Sequence, residues 1–556
     1  MLCKVFLKQR LIVKNKISVY SIYALTSILV FGCNNSNTNV SDKKIFRYNQ
    51  SSGISSLDPA FARDQANIWA VRQLYSGLVQ LDKDLNVVPS IAKSWEISED
   101  GLSYTFHLRS DVNFIDHEVF SNKKGRTITA HDVVYSFSRI IDPETASPGS
   151  WIFNGKVADE SPFKAINDTT FVLKLKSPFR PMLSILTMEY ACIVPKEAIE
   201  KFGKDFRSNP VGSGPFKMKV WKEGNVLILV KNENYFEKDE MGKPLPYLDG
   251  VKISFIESKE TQYLKFIQGD IDFMSGLDKS YINELLTADG KLKEKHESKI
   301  AMLKSPYLNT EYLGILSDTA NDLVKKHPFK LKQVRQAINY SFDRKEMIQY
   351  LRNNIGVPAH SGFVPMGLPS FNAEIVKGYN HNPEKARKLL KEAGIESEKQ
   401  FPATTLYINA AYEDLGIYIQ QQLKNIGIPI KLELVPGAFL REQMAKSKAL
   451  FFRGSWIADY PDAESYLTMF YSKNGSPPNY TRFSNKTFDA LYEKAVNENN
   501  DEARYALYQE MDKILVEEAP VVPLFYDEAV RFVRKNVKGL EPNAMNLLDL
   551  KSVRIN

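Results

Sequence analysis

Segments with the two-residue period of a strand alternate along this chain with segments of helical period, which restricts the fold class more than any other feature. Tyr104, Phe106 and Leu108 alternate with polar residues, as on a half-buried strand. Residues 129–132 then have the pattern of a capping box, and apolar residues follow at helical spacing. Interleaved strands and helices predict a mixed α/β fold, and 556 residues predict two to four domains.

Two later helices are delimited by their end signals. Asn382 and Pro383 are typical of a helix start, and Gly394 is typical of the position just after a helix end. A second helix is predicted over 501–518, where Pro520 stops it before a buried strand at 521–526.

The N-terminus has the pattern of a secretion signal. Residues 1–16 are basic, and the uncharged run 17–32 would span about 24 Å as a helix, short of a bilayer core of about 30 Å. The run ends Leu29-Val30-Phe31-Gly32-Cys33, which resembles a bacterial lipobox with Cys33 as the lipidated residue. We predict a signal peptide at 1–32 and a polar tether at 33–45. An uncleaved membrane anchor is the alternative, and both place the body outside the cytoplasm.

The charge balance gives no reason to expect nucleic acid. The chain has 73 basic and 66 acidic residues, and without the five basic residues of 1–32 the balance is close to neutral. Cys192 is then the one thiol left besides the lipidated Cys33, so no disulfide is expected within the chain, and Cys192 is predicted to be a buried apolar residue.

Short motifs in a fixed order along the chain carry a family resemblance. They occupy 56–59, 74–78, 92–95, 129–133, 211–216, 334–338, 386–394, 456–459 and 519–524. Together they resemble the family 5 extracytoplasmic solute-binding proteins, whose members bind oligopeptides, dipeptides, nickel chelates and other solutes. One departure is visible between Phe114 and Thr129, where extra residues predict an inserted surface loop.

The resemblance implies a periplasmic-binding-protein-like Venus flytrap with an inserted subdomain. Its expected divisions are lobe I (46–74, 206–305 and 525–556), an inserted subdomain (75–205) and lobe II (306–524). It also implies a monomer without cofactor or metal that delivers its ligand to the permease and ATPase subunits of an ABC importer. Contact with the membrane is expected through the lipid anchor alone.

The resemblance places the ligand site in the segment 453–462. In peptide-binding members, the aspartate at the position of Asp459 pairs with the α-ammonium of the peptide, and Trp456 packs beside the first peptide residues. Ser455 and Ile457 fall where backbone groups meet an extended peptide. Arg453 aligns with a basic residue that can meet a ligand carboxylate. The alternatives are that Asp459 and Asp462 only stabilise a turn, that Trp456 belongs to the core, and that Arg453 is an exposed surface residue.

Other ligands and other classes of protein remain possible at this point. Residues 402–423 contain no Lys or Arg, which disfavours a strict dipeptide receptor and favours longer or uncharged-ended ligands. A nickel-chelate, haem or oligosaccharide receptor is the alternative within the family. An enzyme is disfavoured, because the seven histidines lack HExxH spacing and no GxSxG motif occurs. An adhesion or chaperone role would need no enclosed cleft.

Overall fold

A computed structural model describes residues 43–556 of the chain. The predicted signal peptide, Cys33 and most of the predicted tether lie outside the described residues. Residues 44–556 form one compact unit. Within the described part, no helix combines the length and the apolar character needed to cross a bilayer.

Strands and helices alternate through the whole unit. The strands are β1 (Ile45–Asn49), β2 (Val79–Leu81), β3 (Val87–Pro89), β4 (Ala92–Ile97), β5 (Ser103–Leu108), β6 (Phe163–Asn167), β7 (Thr170–Lys174), β8 (Phe216–Lys222), β9 (Val226–Lys231), β10 (Gly250–Ser254), β11 (Phe273–Ser275), β12 (Ile300–Ile315), β13 (Val357–Pro358), β14 (Thr404–Asn409), β15 (Ile430–Val435), β16 (Phe451–Ile457), β17 (Val521–Arg534), β18 (Val537–Lys538) and β19 (Arg554–Ile555). The helices are α1 (Gln65–Leu74), α2 (Ala130–Ile141), α3 (Met182–Ile185), α4 (Lys196–Phe202), α5 (Lys259–Gln268), α6 (Ile282–Leu285), α7 (Glu294–Glu297), α8 (Asp322–Lys325), α9 (Lys332–Tyr340), α10 (Arg344–Arg352), α11 (Pro383–Glu392), α12 (Glu413–Lys424), α13 (Gly437–Ala445), α14 (Glu464–Leu467), α15 (Lys486–Asn497) and α16 (Asp501–Glu518).

One large mixed sheet organises the unit. Within residues 43–556 it has eleven strands, in the order β15-β14-β16-β12-β17-β11-β1-β10-β9-β8, with β13 beside β17. The antiparallel pair β12 and β17 runs through its middle. The register of this pair is interrupted between Pro306 and Thr310, opposite Glu528 and Tyr526, and such irregularities bend strands. The expected lobe boundaries at 305/306 and 524/525 fall beside this point, and the division into lobes stays a prediction.

The half of the sheet formed by β14, β15 and β16 is covered on both faces. Phe451 belongs to one apolar cluster and its neighbour Phe452 to another, because successive side chains of a strand point to opposite faces. Leu406 and Tyr407 on β14 divide in the same way. Burial on two faces explains why β16 begins with the apolar pair Phe451 and Phe452, whereas β15 at the edge of the sheet alternates between apolar and charged residues.

A second sheet, β4-β5-β7-β6, lies within the expected inserted subdomain and packs against α2. The strand predicted from Tyr104, Phe106 and Leu108 is observed as β5, and the predicted helix after Thr129 is observed as α2 with its capping box. Phe137 of α2 is fully buried and packs edge-on against Phe163 and Phe171 of the sheet.

The predicted helices at 382–394 and 501–518 are observed as α11 and α16. The strand predicted at 521–526 is longer than expected, since β17 continues to Arg534. Asp527 and Glu528 end the apolar run in the sequence, yet both carboxylates are paired. Arg352 lies 2.5 Å from Asp527, and the Gly356 N–H lies 2.7 Å from Glu528. Paired charges can therefore sit inside the strand.

The insertion after Phe114 is a surface loop that two of its residues anchor to the subdomain. Phe120 is buried and its ring stacks on Phe114 with ring centroids 5.8 Å apart. Arg126 reaches from the insertion to Asp132 at 2.7 Å and to Glu197 at 2.7 Å. Most residues of 117–126 are exposed or half-buried, as the predicted surface loop requires, and one aromatic residue and one arginine tie the loop to the subdomain.

Candidate functional site

Strand β16 carries the segment that the sequence analysis selected. It pairs antiparallel with β12, with Trp456 opposite Thr310 and Ile457 opposite Asn309. Just after the strand, the Ala458 N–H donates to the Leu308 carbonyl oxygen at 2.9 Å. Because backbone groups alternate in direction along a strand, even-numbered residues of β16 direct their N–H and C=O groups toward β12, and odd-numbered residues direct theirs away.

The opposite edge of β16 is covered only at its beginning. In the described part of the chain, β14 pairs with it at Phe451 and Phe452, and no later residue of β16 pairs with β14. Among the described residues, no strand pairs with the outward N–H and C=O groups of Ser455 and Ile457. An uncovered strand edge is a template for an extended chain.

Asp459 follows this open edge directly. Its backbone N–H donates to Ser465 Oγ at 3.2 Å, which fixes the turn. Its side chain is exposed, and within residues 43–556 no donor or cation bonds to its carboxylate. The next residue, Tyr460, stacks on Trp151 of the expected inserted subdomain with ring centroids 6.3 Å apart. The carboxylate therefore lies where the β16 segment meets that subdomain.

The surroundings of Asp459 raise its pKa. Burial, and then the negative charge of Glu464, move the pKa of this carboxyl up to about 6. Tyr190 of the facing subdomain is close enough that Asp459 contributes to raising its pKa to about 12, after the larger effect of burial. Solvent reaches the carboxylate, but the enclosing protein removes much of its hydration. A cationic group would restore that lost stabilisation.

The neighbouring acidic residues already have partners. Asp462 is buried, forms an ion pair with Arg504 and accepts the Glu464 N–H at 2.9 Å. Glu464 accepts hydrogen bonds from the hydroxyls of Tyr460 and Tyr492. The interpretation as a turn-stabilising residue therefore fits Asp462, whereas the carboxylate of Asp459 contributes no bond to the turn.

Trp456 packs partly in the core and also leaves part of its ring accessible to a ligand. Its indole N–H donates to the Ser465 carbonyl oxygen at 2.7 Å, and the ring packs partly against the core cluster that contains Phe452. The residue is half-buried, so part of its ring remains accessible beside the open edge. The hydrogen bond holds the ring in one orientation, as a contact surface for a ligand requires.

Arg453 is placed inside the protein. Its guanidinium pairs with Glu311 of β12 and lies 3.4 Å from the centre of the Tyr412 ring. Both charged residues are buried, and burial raises the pKa of Glu311 although Arg453 opposes the shift. The alternative of an exposed arginine is wrong. With Glu311 as an internal partner, the role of Arg453 toward a ligand carboxylate stays a prediction.

Sequence reasoning missed Glu311, Glu464 and Tyr190. Glu311 reaches Arg453 only through the register of β12 with β16, and Tyr190 reaches Asp459 from the expected inserted subdomain. No local pattern marks either residue. Glu464 lies five residues after Asp459, and this closeness in sequence is the one signal that could have identified it as a neighbour of the site.

Other polar regions are less suited to a ligand. A cavity of about 310 Å³ is lined by Arg72, Lys551 and Asp549 and shares no lining residue with the β16 segment. Two of its cations are paired internally, since Lys551 lies 2.6 Å from Glu237 and Arg72 lies 3.1 Å from Glu189. Among the described residues, no group of three metal-ligating side chains converges.

Comparisons with known proteins agree with this architecture. The chain is 27% identical over 534 residues to the dipeptide-binding protein DppE of Bacillus subtilis (strain 168), covering 92% of each chain. It is 29% identical over 486 residues to heme-binding protein A of Haemophilus influenzae (strain ATCC 51907 / DSM 11121 / KW20 / Rd), covering 84% of each.

A solved structure gives the same result. The periplasmic binding protein DppA from Helicobacter pylori, in complex with the peptide STSA, matches with a TM-score of 0.73 and 27% identity. The match covers 92% of this chain and 98% of that one. This likeness confirms the predicted mixed α/β fold of the periplasmic-binding-protein type.

The family comparison covers most of the chain. Residues 86–478 match the model of the bacterial extracellular solute-binding proteins, family 5. The family consists of binding proteins, which confirms the prediction that the chain is not an enzyme. The chain belongs to the family 5 extracellular solute-binding proteins, the ligand receptors of ABC importers.

Proposed function

We propose that this protein captures peptides, chiefly oligopeptides, by their N-terminal amine at Asp459 and delivers them to an ABC importer. The observation that carries the proposal is the Asp459 carboxylate, which lies beside the open edge of β16 and has no partner among residues 43–556. Charge-assisted hydrogen bonds to an enclosed carboxylate are among the stronger polar contacts in proteins. Every peptide with a free N-terminus carries the matching cation.

The open edge explains how peptides of varied sequence are held. The outward backbone groups of Ser455 and Ile457 can pair with the main chain of an extended ligand. Main-chain pairing does not depend on ligand side chains. Trp456 provides an apolar face next to the first ligand residues, so affinity comes from features that peptides share.

The alternative is a receptor of the same family for a nickel chelate, haem or an oligosaccharide. One relative is a heme-binding protein, so family membership alone does not decide which class of ligand this protein binds. Asp459 favours a peptide, because an uncharged sugar or an anionic chelate provides no cation to compensate a desolvated carboxylate.

A thermal-shift screen tests the proposal. The full chain is purified in mild detergent, unfolded and refolded to remove carried ligand. It is then mixed with free or N-acetylated peptides of two to six residues, nickel–histidine, haem or oligosaccharides. A ligand at 100 times its Kd adds about 2.7 kcal/mol of stability. We expect a shift with free peptides that N-acetylation abolishes. A shift only with chelates, haem or sugars would contradict the peptide assignment.

Peptide affinity is expected to fall in acid. The pKa of Asp459 in the ligand-free protein lies at about 6, so protonation removes the negative charge below that pH. Affinity should then decrease about tenfold per pH unit as pH falls from 6 toward 5, because binding requires release of one proton. Calorimetric titration between pH 5 and 8 measures this slope. Affinity that stays constant over this range would rule out an ionised Asp459 as the ammonium partner.

We also propose that Cys33 carries the lipid anchor. Cys33→Ser is expected to leave a protein that partitions into the aqueous phase of a detergent phase separation, whereas the unaltered chain partitions into the detergent phase. Cys192→Ser is the matched control, since Cys192 is buried and should not affect partitioning. Retention of Cys33→Ser in the detergent phase would favour an uncleaved membrane anchor.

A further inference from the structure

The open edge of β16 is short, and the point where it ends limits the length of an extended ligand. A peptide with its amine at Asp459 and its main chain along Ile457 and Ser455 runs antiparallel to β16, toward the start of that strand. Near Gly454 it reaches the end of β14, which pairs with β16 at Phe451 and Phe452. From Asp459 to the level of Gly454 is five residues, or about 17 Å at roughly 3.4 Å per residue. An extended ligand of four to five residues fills this distance.

The far end of the open edge is the carboxyl end of β14. Continuing the observed register from Tyr407 opposite Phe452 places Asn409, the last residue of β14, opposite Gly454. The chain then turns away through residues 410–412. A peptide lying in line with β14 therefore points its C-terminus at Asn409.

Two nitrogen donors, one of Asn409 and one of Arg441, lie close together at that point. The Oδ1 atom of Asn409 accepts the Ala411 N–H at 2.9 Å, which fixes the amide plane. A Cβ atom added to Gly437 would lie 3.4 Å from Asn409 Nδ2 and 3.5 Å from Arg441 Nη1, so both nitrogens border the space over Gly437. Within the described residues, neither nitrogen has a hydrogen-bond or ion-pair partner.

The charges around this space favour an anion. Two acidic residues on the neighbouring elements pair with lysines, Glu442 with Lys446 at 2.6 Å and Glu433 with Lys431 at 3.6 Å. Gly437 also begins helix α13, whose first backbone N–H groups have no side-chain cap. Arg453 is paired with Glu311, whereas Arg441 has no ion pair with any residue of 43–556.

We infer that Asn409 and Arg441 form a second ligand subsite that binds a carboxylate of the peptide held at Asp459, and that this pair sets a preference for ligands of four to five residues. The inference rests on the proposed peptide function. The carboxylate is either the C-terminus of the ligand or an acidic side chain near it, and the donor chemistry is the same for both.

The test compares C-terminal acids with amides. The full chain, stripped of ligand, is titrated with random peptide libraries of fixed length from two to eight residues, each as free acid and as C-terminal amide. We expect amidation to weaken binding of four- and five-residue libraries roughly 10- to 100-fold, and to have little effect on dipeptides. Amide libraries with a single Glu at each position show whether a side-chain carboxylate restores binding.

Substitutions test whether Arg441 causes the difference in affinity between C-terminal acids and amides. Arg441→Gln should bind acids and amides equally, with the acid affinity lowered to that of the amide. Lys448→Gln removes one exposed positive charge from the segment that follows the same helix and should keep full discrimination. Arg441→Gln that still discriminates acid from amide would overturn the inference, as would the absence of discrimination in the unaltered protein. If no free-amine peptide binds the unaltered protein, the proposed function itself fails, which is a distinct result.

Discussion

Asp459→Asn is expected to weaken the binding of free-amine peptides by about a hundredfold to several thousandfold. The substitution leaves the ligand ammonium enclosed without an anion, and breaking a buried ion pair costs about 3–5 kcal/mol. Calorimetric titration of the ligand-stripped full chain with a tetrapeptide library measures the change. N-acetylated peptides should bind weakly to both proteins, because they lack the cation that Asp459 receives.

The same substitution should not harm the ligand-free fold. The pKa of Asp459 is raised from its ordinary value of 3.8 to about 6, so ionisation weakens the folded state as pH rises through that range. Asparagine removes this cost, and the melting temperature at pH 7 should stay equal or rise. Unchanged affinity in a well-folded Asp459→Asn protein would remove Asp459 from the site, whereas a lowered melting temperature would contradict the assigned electrostatics.

Arg453→Met is expected to lower the free energy of unfolding by about 3–5 kcal/mol. Arg453 and Glu311 are both buried, and loss of the guanidinium leaves the Glu311 carboxylate without its partner. Urea denaturation of the ligand-free protein, followed by fluorescence, measures the loss. A cation that acted only on ligand would change affinity and leave the unfolding midpoint unaltered.

A double substitution separates the two roles. Arg453→Met with Glu311→Leu removes both charges and fills their space with apolar atoms, which should recover most of the lost stability. Peptide binding to the double variant then reports on the ligand role of Arg453 alone. If the double variant remains as unstable as Arg453→Met, the ion pair is not the cause of the loss.

Local features of this protein could be predicted from sequence. Thr129 and Asp132 identify the start of α2, and Asn382 with Gly394 identifies both ends of α11, because caps are interactions between residues a few positions apart. The β16 segment was also predicted, since Arg453 to Asp459 form one continuous motif. A strand followed by a turn keeps such residues together whatever surrounds them.

Pairs of residues that meet across the sheet could be identified only from the tertiary structure. Arg453 is a buried partner of Glu311 because β12 and β16 pair in one register, and β17 extends through Asp527 because Arg352 reaches it. The length of the open edge depends on where β14 leaves β16, and the meeting of Asn409 with Arg441 depends on the packing of α13. Sequence determined which segments are strands and helices, because periodicity and capping act over one or two turns of chain. Which charges are paired and which remain free for a ligand was decided by contacts between residues far apart in sequence, and no local pattern encodes those contacts.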